Sequence, residues 1–357
     1  MTNQRMINFD QPQTLRCGLT LRNGFVLAPL DLRLALFDGT VSRNDGWFHQ
    51  QHTRTVGLDI VGSAYVSDCG RTCSGAISVA HDTMITGLHQ LAQRIHRQGA
   101  KAILQLSHAG VRAQLDSRYR TPVGPSATKT TVALTTYEVE QTINAFGHAA
   151  ERAYQAGFDG VEIQGANRFL LQQFTSPLTN HRNDAFGGSL ARRLTFPVRV
   201  VQRVQQVAEM AQRHHRSFAV GYRLSPEERQ AGGLRLIDTV VLAHLLEGLN
   251  VDYLSLSLHN YHQPAITGTQ TLPVVQVFRQ QLPHLPVMVA GGIRTQADLE
   301  TLAGEAAFVA MGSPLIFEPD WPSDRRQPAG KGATCQSPEQ LGLSPLFLKQ
   351  LLGMKGL

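Results

Sequence analysis

The stretch GFDGVEIQGANRFLLQQFTSPLTNHRNDAFGG, residues 157–188, decides the fold of this chain. It begins with a short apolar run at 160–163 bounded by glycines, which predicts a buried strand. Two amide side chains, Gln164 and Asn167, follow where the strand should end, and a long loop rich in glycine and asparagine comes next. In a (β/α)8 barrel the site residues lie at the carboxyl ends of the strands, so this pattern predicts such a barrel.

Seven further runs of this kind alternate with segments of helical periodicity. The eight predicted strands are 25–28, 59–66, 102–106, 160–163, 218–224, 251–256, 287–290 and 307–311, and the predicted helices span about 83–97, 136–156, 190–212, 234–247 and 295–302. Asp82 or Thr83 can cap the first helix, and Thr135 or Thr136 the second. Strands and helices that alternate in this way favour a parallel (β/α)8 TIM barrel with the helices outside. An open doubly wound sheet is the alternative, but no glycine-rich fingerprint follows the first strand.

We expect a single domain with extended loops. Residues 1–24 form an N-terminal segment with a hairpin-like turn at Arg22, Asn23 and Gly24, which could close the bottom of the barrel. Residues 25–322 form the barrel itself. Residues 323–357 form a C-terminal polar loop and a short helix at about 345–352.

Composition and charge exclude several classes of protein. The 357 residues are 42% hydrophobic and 17% charged, as in an ordinary globular protein. The net charge of +6 is compatible with an anionic ligand, but no Lys/Arg run is interleaved with aromatics, so we expect no nucleic-acid partner. Without a leader-like or long apolar segment, we expect a cytoplasmic protein and no membrane association. The four cysteines are too scattered for a disulfide framework or a metal site: Cys17, Cys69, Cys73 and Cys335.

Glycines at the ends of the last two strands suggest a phosphate site. The sequences MVAGGIRT at 288–295 and VAMGSPL at 309–315 lie where a barrel frequently binds phosphate through backbone N–H groups. Arg294 adds a positive charge there. The alternative is that both loops are ordinary turns between a strand and a helix.

Two polar residues interrupt apolar strands. Gln105 lies in ILQLSHAG, and Arg223 lies in VGYRLSP at the end of an apolar strand. A buried guanidinium is costly unless it meets an anion or a ring rich in carbonyl groups. A structural ion pair with a carboxylate is the alternative explanation for Arg223.

These blocks, taken in order, resemble the Old Yellow Enzyme family of FMN-dependent NAD(P)H oxidoreductases and ene-reductases. The resemblance runs from about residue 21 to 322, and its most specific part is QFTSPLTNHRNDAFGGSLARR at 173–193. It implies a barrel that holds one non-covalent FMN at its mouth. NADH or NADPH would reduce the flavin, and an oxidant would then bind in turn, with ping-pong kinetics.

The resemblance also implies the contacts of FMN. Pro29, Leu30 and Ser63 would contact the ring system. Gln105 would hydrogen-bond its pyrimidine edge, and Arg223 would stabilise negative charge at N1 and O2. The phosphate would be held by Gly291, Gly292, Gly312 and Ser313.

The substrate side of the site departs from the family. Gln164 and Asn167 replace a His-x-x-His or His-x-x-Asn pair, and two amides can still donate to a carbonyl oxygen although neither can become a cation. Phe169 replaces the tyrosine that gives a proton to the substrate α-carbon. Ene-reduction would therefore need solvent or another acid, for which the candidates are Tyr65, Tyr261 and His259.

Two further departures concern the flavin. Asp31 stands where the family has threonine or cysteine near the flavin C4 oxygen. An ionised Asp31 would oppose electron density on the ring, whereas a protonated one would favour it. Ser313 replaces an arginine that reaches the phosphate, a loss for which Arg294 could compensate.

The leading hypothesis is therefore an FMN-dependent NAD(P)H oxidoreductase whose oxidant is a quinone, an activated alkene or another electrophile. An ene-reductase with a substitute proton donor is the second hypothesis. The third is a non-catalytic FMN-binding or interaction protein. The sequence leaves open the choice between NADH and NADPH and the oligomeric state, a homodimer included.

Overall fold

Eight parallel strands close into a barrel in the computed structural model, which describes residues 7–114, 121–266, 272–329 and 337–343 together with Leu348. Consecutive strands are neighbours, and the last pairs with the first. The strands are β1 Phe25–Leu27, β2 Leu58–Tyr65, β3 Lys101–Ser107, β4 Gly160–Gly165, β5 Ala219–Leu224, β6 Tyr253–Ser257, β7 Val287–Ala290 and β8 Phe308–Met311. All eight predicted strands and the (β/α)8 fold are thus confirmed.

Helices follow every strand of the barrel. In the described part of the chain they are α1 Arg43–His52, α2 Ile85–Arg97, α3 Thr136–Gln155, α4 Leu170–Thr175, α5 Leu190–Arg193, α6 Thr195–Arg213, α7 Leu236–Gly248, α8 Val274–Gln281, α9 Gln296–Leu302, α10 Ser313–Phe317 and α11 Pro338–Leu341. The single helix predicted at 190–212 is two helices, α5 and α6, because the chain breaks its helical run at Leu194. Helices α1, α4, α8, α10 and α11 were not predicted.

The longest helix shows why the predicted boundaries hold. The Thr135 hydroxyl accepts from the Glu138 backbone N–H, and the Glu138 carboxylate accepts from the Thr135 N–H, which makes a capping box at the start of α3. The buried side chains Val139, Ile143 and Phe146 recur at helical spacing on its inner face. Gly157, with a φ of 89°, lies just beyond its end.

The N-terminal segment does form a hairpin, but its turn was predicted in the wrong place. Gln13–Thr14 pairs with Thr20–Leu21 in antiparallel register, and the chain reverses between them where Gly18 has a φ of 86°. Asn23 uses its side chain instead to accept from the Phe25 N–H and to donate to the Thr55 carbonyl. These two hydrogen bonds hold residues 22–24 in a bend that leads directly into β1, and the chain does not reverse there.

The hairpin packs against the inside of the barrel. Leu15, Leu19 and Leu21 belong to one buried cluster with Leu58 and Phe308, which lie at the starts of β2 and β8. Apolar burial of this kind favours a fixed position for the segment. The predicted helix at 345–352 lies outside the described residues except for Leu348, which is buried.

The barrel interior has a polar half. The inward residues of β1, β2, β7 and β8 are apolar, among them Val26, Ile60 and Met288. Strands β3 to β6 instead carry four buried polar residues, namely Gln105, Glu162, Arg223 and Ser255. Gln105 is opposite Glu162 in the register, and Arg223 is opposite Ser255. In the described part of the chain no helix is both long and apolar enough to cross a membrane.

Candidate active site

A pocket of about 420 Å³ opens at the carboxyl ends of the strands. Nine of the predicted site residues line it: Pro29, Leu30, Asp31, Ser63, Gln105, Gln164, Asn167, Phe169 and Ser313. Five residues that were not predicted complete the wall: Arg33, Thr72, Cys73, Arg112 and Gln114. The predicted contacts of the flavin ring and of the substrate therefore face one space.

The other four predicted residues lie around this pocket without lining it. Arg223 is buried behind it, with 8% of its surface exposed. A β-carbon on Gly312 would lie 3.3 Å from Leu30 Cδ2, so this glycine adjoins the pocket wall. Gly291 and Gly292 have φ values of 137° and 76° and lie beside Leu258 and Asn260 at the end of β7.

A second pocket of about 510 Å³ adjoins the first and shares Arg112 and Asn167 with it. Ser257, Leu258 and His259 from the end of β6 contribute to its wall. Because the two pockets share wall residues, they lie side by side at the mouth of the barrel.

Gln105 is held at the floor by three hydrogen bonds. Its Nε2 donates to Glu162 Oε1 at 2.7 Å. Its Oε1 accepts from Ser63 Oγ and from Gln164 Nε2, both at 3.2 Å. Both lone pairs of the Gln105 carbonyl are thereby used, so the group that it can still offer to a ligand is its second amide N–H.

Arg223 lacks partners for two of its nitrogen atoms. Its Nη2 donates to Ser257 Oγ at 3.2 Å, while Nε and Nη1 are buried without a hydrogen-bond partner among the described residues. No carboxylate of these residues lies within ion-pair distance of it, although the charge of Glu162 acts on it from further away. A buried guanidinium in this state indicates a missing anionic or carbonyl-bearing ligand rather than a completed ion pair.

Ser257 fixes the orientation of the Asn167 amide. The Ser257 hydroxyl donates to Asn167 Oδ1 at 3.0 Å, and Ser225 Oγ accepts from the Asn167 backbone N–H at 3.0 Å. Gln164 has its carbonyl oxygen bound to the Ala166 N–H at 3.0 Å. Both amides therefore keep N–H groups that can donate to a ligand in the pocket, and each carbonyl oxygen keeps one lone pair.

Asp31 is held against β2. Its Oδ1 accepts from the Ser63 backbone N–H at 2.8 Å. Burial raises the pKa of Asp31, although the bonds from Ser63 and Thr72 oppose that rise. The environment thus favours the protonated carboxyl, which can donate a hydrogen bond.

The chain from residue 10 to 328 matches the sequence profile of the family described as NADH:flavin oxidoreductase / NADH oxidase. The chain belongs to this family. FMN is accordingly its cofactor, and the resemblance to the Old Yellow Enzymes is confirmed.

The relatives of this chain differ in length. The probable NADH-dependent flavin oxidoreductase YqiG of Bacillus subtilis is 36% identical over 87% of this chain and 86% of its own. The NADH:acrylate oxidoreductase of Vibrio harveyi is 36% identical over 85% of this chain, which spans only 32% of that protein. Among solved structures, morphinone reductase superposes with a TM-score of 0.78 at 25% identity and covers 95% of this chain and 94% of its own.

The pocket of this chain has residues that fit FMN. The unpartnered nitrogens of Arg223 suit the electron-rich N1 and O2 edge of the ring. Gly62 has no room for a side chain, since a β-carbon there would lie 2.8 Å from Gln105 and 3.0 Å from Pro29. A side chain at position 62 is therefore excluded next to Pro29 and Gln105, two of the predicted contacts of the ring.

The structure separates the candidate acids. The Tyr65 hydroxyl donates to the Asp38 carbonyl at 3.1 Å, and the Tyr261 hydroxyl donates to Asp298 at 2.7 Å. Neither tyrosine lines the pocket that holds Phe169, and His259 lines only the adjoining one. Asp31 is the carboxyl group that faces the space beside Phe169.

Sequence reasoning missed Ser257, Glu162 and Arg112. Ser257 lies at the carboxyl end of a predicted strand, and Glu162 is a charged residue inside an apolar strand, so both carried a usable signal. Arg112 follows the short loop after β3, and its guanidinium lies 5.9 Å from the Phe169 ring. The exposed Arg294 lines neither pocket.

Proposed function

We propose that this chain is an FMN-dependent NAD(P)H oxidoreductase that passes a hydride from reduced flavin to a small electrophile, such as a quinone or an activated alkene, with ping-pong kinetics. The observation that carries the proposal is the single pocket of about 420 Å³ in which predicted flavin contacts and two amide donors meet. Such a pocket can hold one flavin and then, in turn, a nicotinamide and an acceptor.

FMN, when bound, supplies the chemistry of accepting and donating a hydride. The residues of the chain would orient the acceptor and stabilise the charge of the reduced ring. Arg223, two of whose nitrogens have no partner among the described residues, would hold the N1 and O2 edge of the ring and stabilise the negative charge of the reduced form. Gln164 and Asn167 present N–H groups that would bind the carbonyl oxygen of an acceptor and polarise it.

Neutral amide donors favour a neutral acceptor oxygen over a phenolate, because neither side chain can carry a compensating positive charge. Quinones and enones present such an oxygen. The Vibrio relative is named for acrylate, a conjugated acid, so such acids are further acceptors to test. Arg112 in the pocket wall is a cation that can pair with their carboxylate.

Asp31 supports a second candidate function, ene-reduction with a substitute acid. Reduction of an enone needs a proton at the α-carbon as well as a hydride at the β-carbon, and Phe169 cannot supply it. Asp31 lines the same pocket, and burial favours its protonated form. Deuterium tracing with a maleimide in D2O would test whether the α-carbon receives a solvent-exchangeable proton.

Anaerobic stopped-flow reduction tests the main proposal. Purified protein loaded with FMN is mixed with NADH or NADPH, and the flavin absorbance is followed; the reduced protein is then mixed with a quinone, an enone, acrylate or fumarate. We expect bleaching by at least one nucleotide and rapid recovery with at least one acceptor. Failure to bleach with either nucleotide rejects the reductase, and failure to take up FMN supports the non-catalytic alternative.

A further inference from the structure

A buried carboxylate lies in the barrel interior close to the pocket. Glu162 is on β4, two residues before Gln164, and is completely inaccessible to solvent. Its register partners are Gln105 on β3 and Gly221 on β5. The mechanism proposed above does not use it, yet a carboxylate at such a place is costly unless it interacts with other groups.

Glu162 determines which way the Gln105 amide faces. Glu162 Oε1 accepts from Gln105 Nε2 at 2.7 Å, and its second oxygen has no hydrogen-bond partner among the described residues. The reversed amide would place the Gln105 oxygen against the carboxylate and its nitrogen against the Gln164 N–H donor. Both contacts would then be repulsive, so Glu162 fixes the orientation in which Gln105 Oε1 accepts from Ser63 and Gln164.

Glu162 also opposes the charge of Arg223. The two groups lie on neighbouring strands. Burial raises the pKa of Glu162 and lowers that of Arg223, whereas the charge of each group opposes the shift of the other, so the guanidinium is what favours the ionised form of Glu162. They make no direct ion pair within the described residues, so neither charge is cancelled by contact. A ligand in the pocket therefore experiences the guanidinium together with a partly opposing carboxylate.

We propose that Glu162 is a positioning residue that holds the Gln105 amide, offsets the charge of Arg223, and thereby lowers the reduction potential of FMN bound in this pocket. Reduced flavin carries more negative charge than oxidised flavin, and a buried carboxylate nearby disfavours that charge, because little solvent screens the interaction. The inference rests on the proposed function only in requiring that FMN binds at Gln105 and Arg223.

The midpoint potential of bound FMN tests this inference, measured by anaerobic redox titration of the loaded protein. Glu162→Gln keeps the size and the hydrogen bond to Gln105 but removes the charge. We expect the midpoint potential of this variant to rise by at least about 30 mV, which corresponds to a tenfold change in the equilibrium constant of the two-electron reduction. Asp252→Asn is the matched control, since Asp252 is a buried carboxylate at the opposite end of the barrel that accepts from the Cys17 and Val220 N–H groups.

Each outcome of the titration either supports or overturns the inference about Glu162. A higher potential in Glu162→Gln with a wild-type value in Asp252→Asn supports the inference, and equal values in all three proteins overturn it. If Glu162→Gln does not fold, Glu162→Ala removes the same charge and must still raise the potential; a wild-type value there overturns the inference. Wild-type protein that binds no FMN refutes the proposed function instead, which separates the two failures.

Discussion

Phe169 lacks the proton donor that the proposed ene-reduction needs at this position. It lines the pocket beside Asn167 and carries no proton to donate. We expect Phe169→Tyr to raise kcat/KM for 2-cyclohexenone by roughly tenfold or more, since a correctly positioned general acid accelerates a reaction by a factor of about 10²–10⁴. Steady-state assays under anaerobic conditions measure this. Phe37→Tyr, at a ring that is 86% exposed, is the control; an unchanged rate in Phe169→Tyr would show that proton supply does not limit turnover.

Asp31 gives the flavin site a pH dependence. Because burial raises its pKa, Asp31 stays protonated to a higher pH than an ordinary aspartate and becomes an anion as the pH rises through that value. We expect the midpoint potential of bound FMN to fall more steeply with pH in the wild type than in Asp31→Asn. Redox titrations between about pH 5 and 9 measure the slopes. Identical slopes in the two proteins would contradict a titrating Asp31.

The same residue affects stability. A carboxyl whose folded-state pKa is raised contributes stability below its unfolded-state pKa and loses it as the pH rises through the folded value. Asp31→Asn cannot ionise and therefore does not lose this stability. We expect the difference between its urea midpoint and that of the wild type to be larger, in favour of the variant, at alkaline pH than at acidic pH. Asp320→Asn, at a side chain that is 63% exposed, is the control and should show no such trend.

Ser257 controls the amide that faces the acceptor. In Ser257→Ala the Asn167 Oδ1 loses its donor, which costs about 1 kcal/mol, or roughly fivefold in the Kd of a carbonyl ligand. Titration of the flavin absorbance with a phenolic aldehyde measures that Kd. Ser255→Ala is the matched control on the same strand, because the Ser255 hydroxyl has no partner among the described residues. Equal weakening in both variants would argue against the Asn167 contact.

At the residue scale the sequence identified polar side chains but not how they are joined. Gln105 and Arg223 were recognisable because each interrupts an apolar strand. Glu162 interrupts one equally, but its hydrogen bond to Gln105 depends on the register between β3 and β4, which a single sequence does not specify. The protonation of Asp31 was open for the same reason, since burial is a property of the packed molecule.

Secondary-structure elements were predicted where their periodicity was clear. Helix α4 was missed because all six of its residues are buried, so it has no polar face to reveal a helical period. Helix α1 was missed because RNDGWFHQQH contains few apolar residues, although Ser42 and Asp45 form a capping box at its start. A capping signal before a polar segment could have identified it.

The Thr135 cap of α3 gives a test at the scale of an element. The helix is twenty residues long and packs against α6, so its start contributes to the stability of the barrel. We expect Thr135→Ala to lower the free energy of unfolding by about 1 kcal/mol, because the Glu138 N–H loses its acceptor. Urea denaturation measures the change. The exposed Thr130→Ala should stay within about 0.5 kcal/mol of the wild type, and an equal loss there would remove the cap as the cause.

The whole molecule depends on a filled barrel interior. Leu15 is 2% exposed and packs with the starts of the strands, so Leu15→Ala should cost about 2–5 kcal/mol through lost burial and a residual cavity. The absorption spectrum of bound FMN should not change, because the site is at the other end of the barrel. Leu36→Ala, at a side chain that is 53% exposed, is the control in the same urea experiment. If Leu36→Ala lowered the free energy of unfolding as much as Leu15→Ala, the result would contradict a structural role for the hairpin.

The backbone at Asn167 restricts how acceptor range can be altered in the laboratory. Asn167 and Arg168 both have φ values near 60°, a left-handed conformation that β-branched side chains adopt only with strain. A randomised library at position 167 should thus yield active clones with only a handful of side chains, chiefly glycine, aspartate, asparagine and histidine. Directed evolution toward bulky acceptors will find more freedom at Phe169, whose backbone is extended.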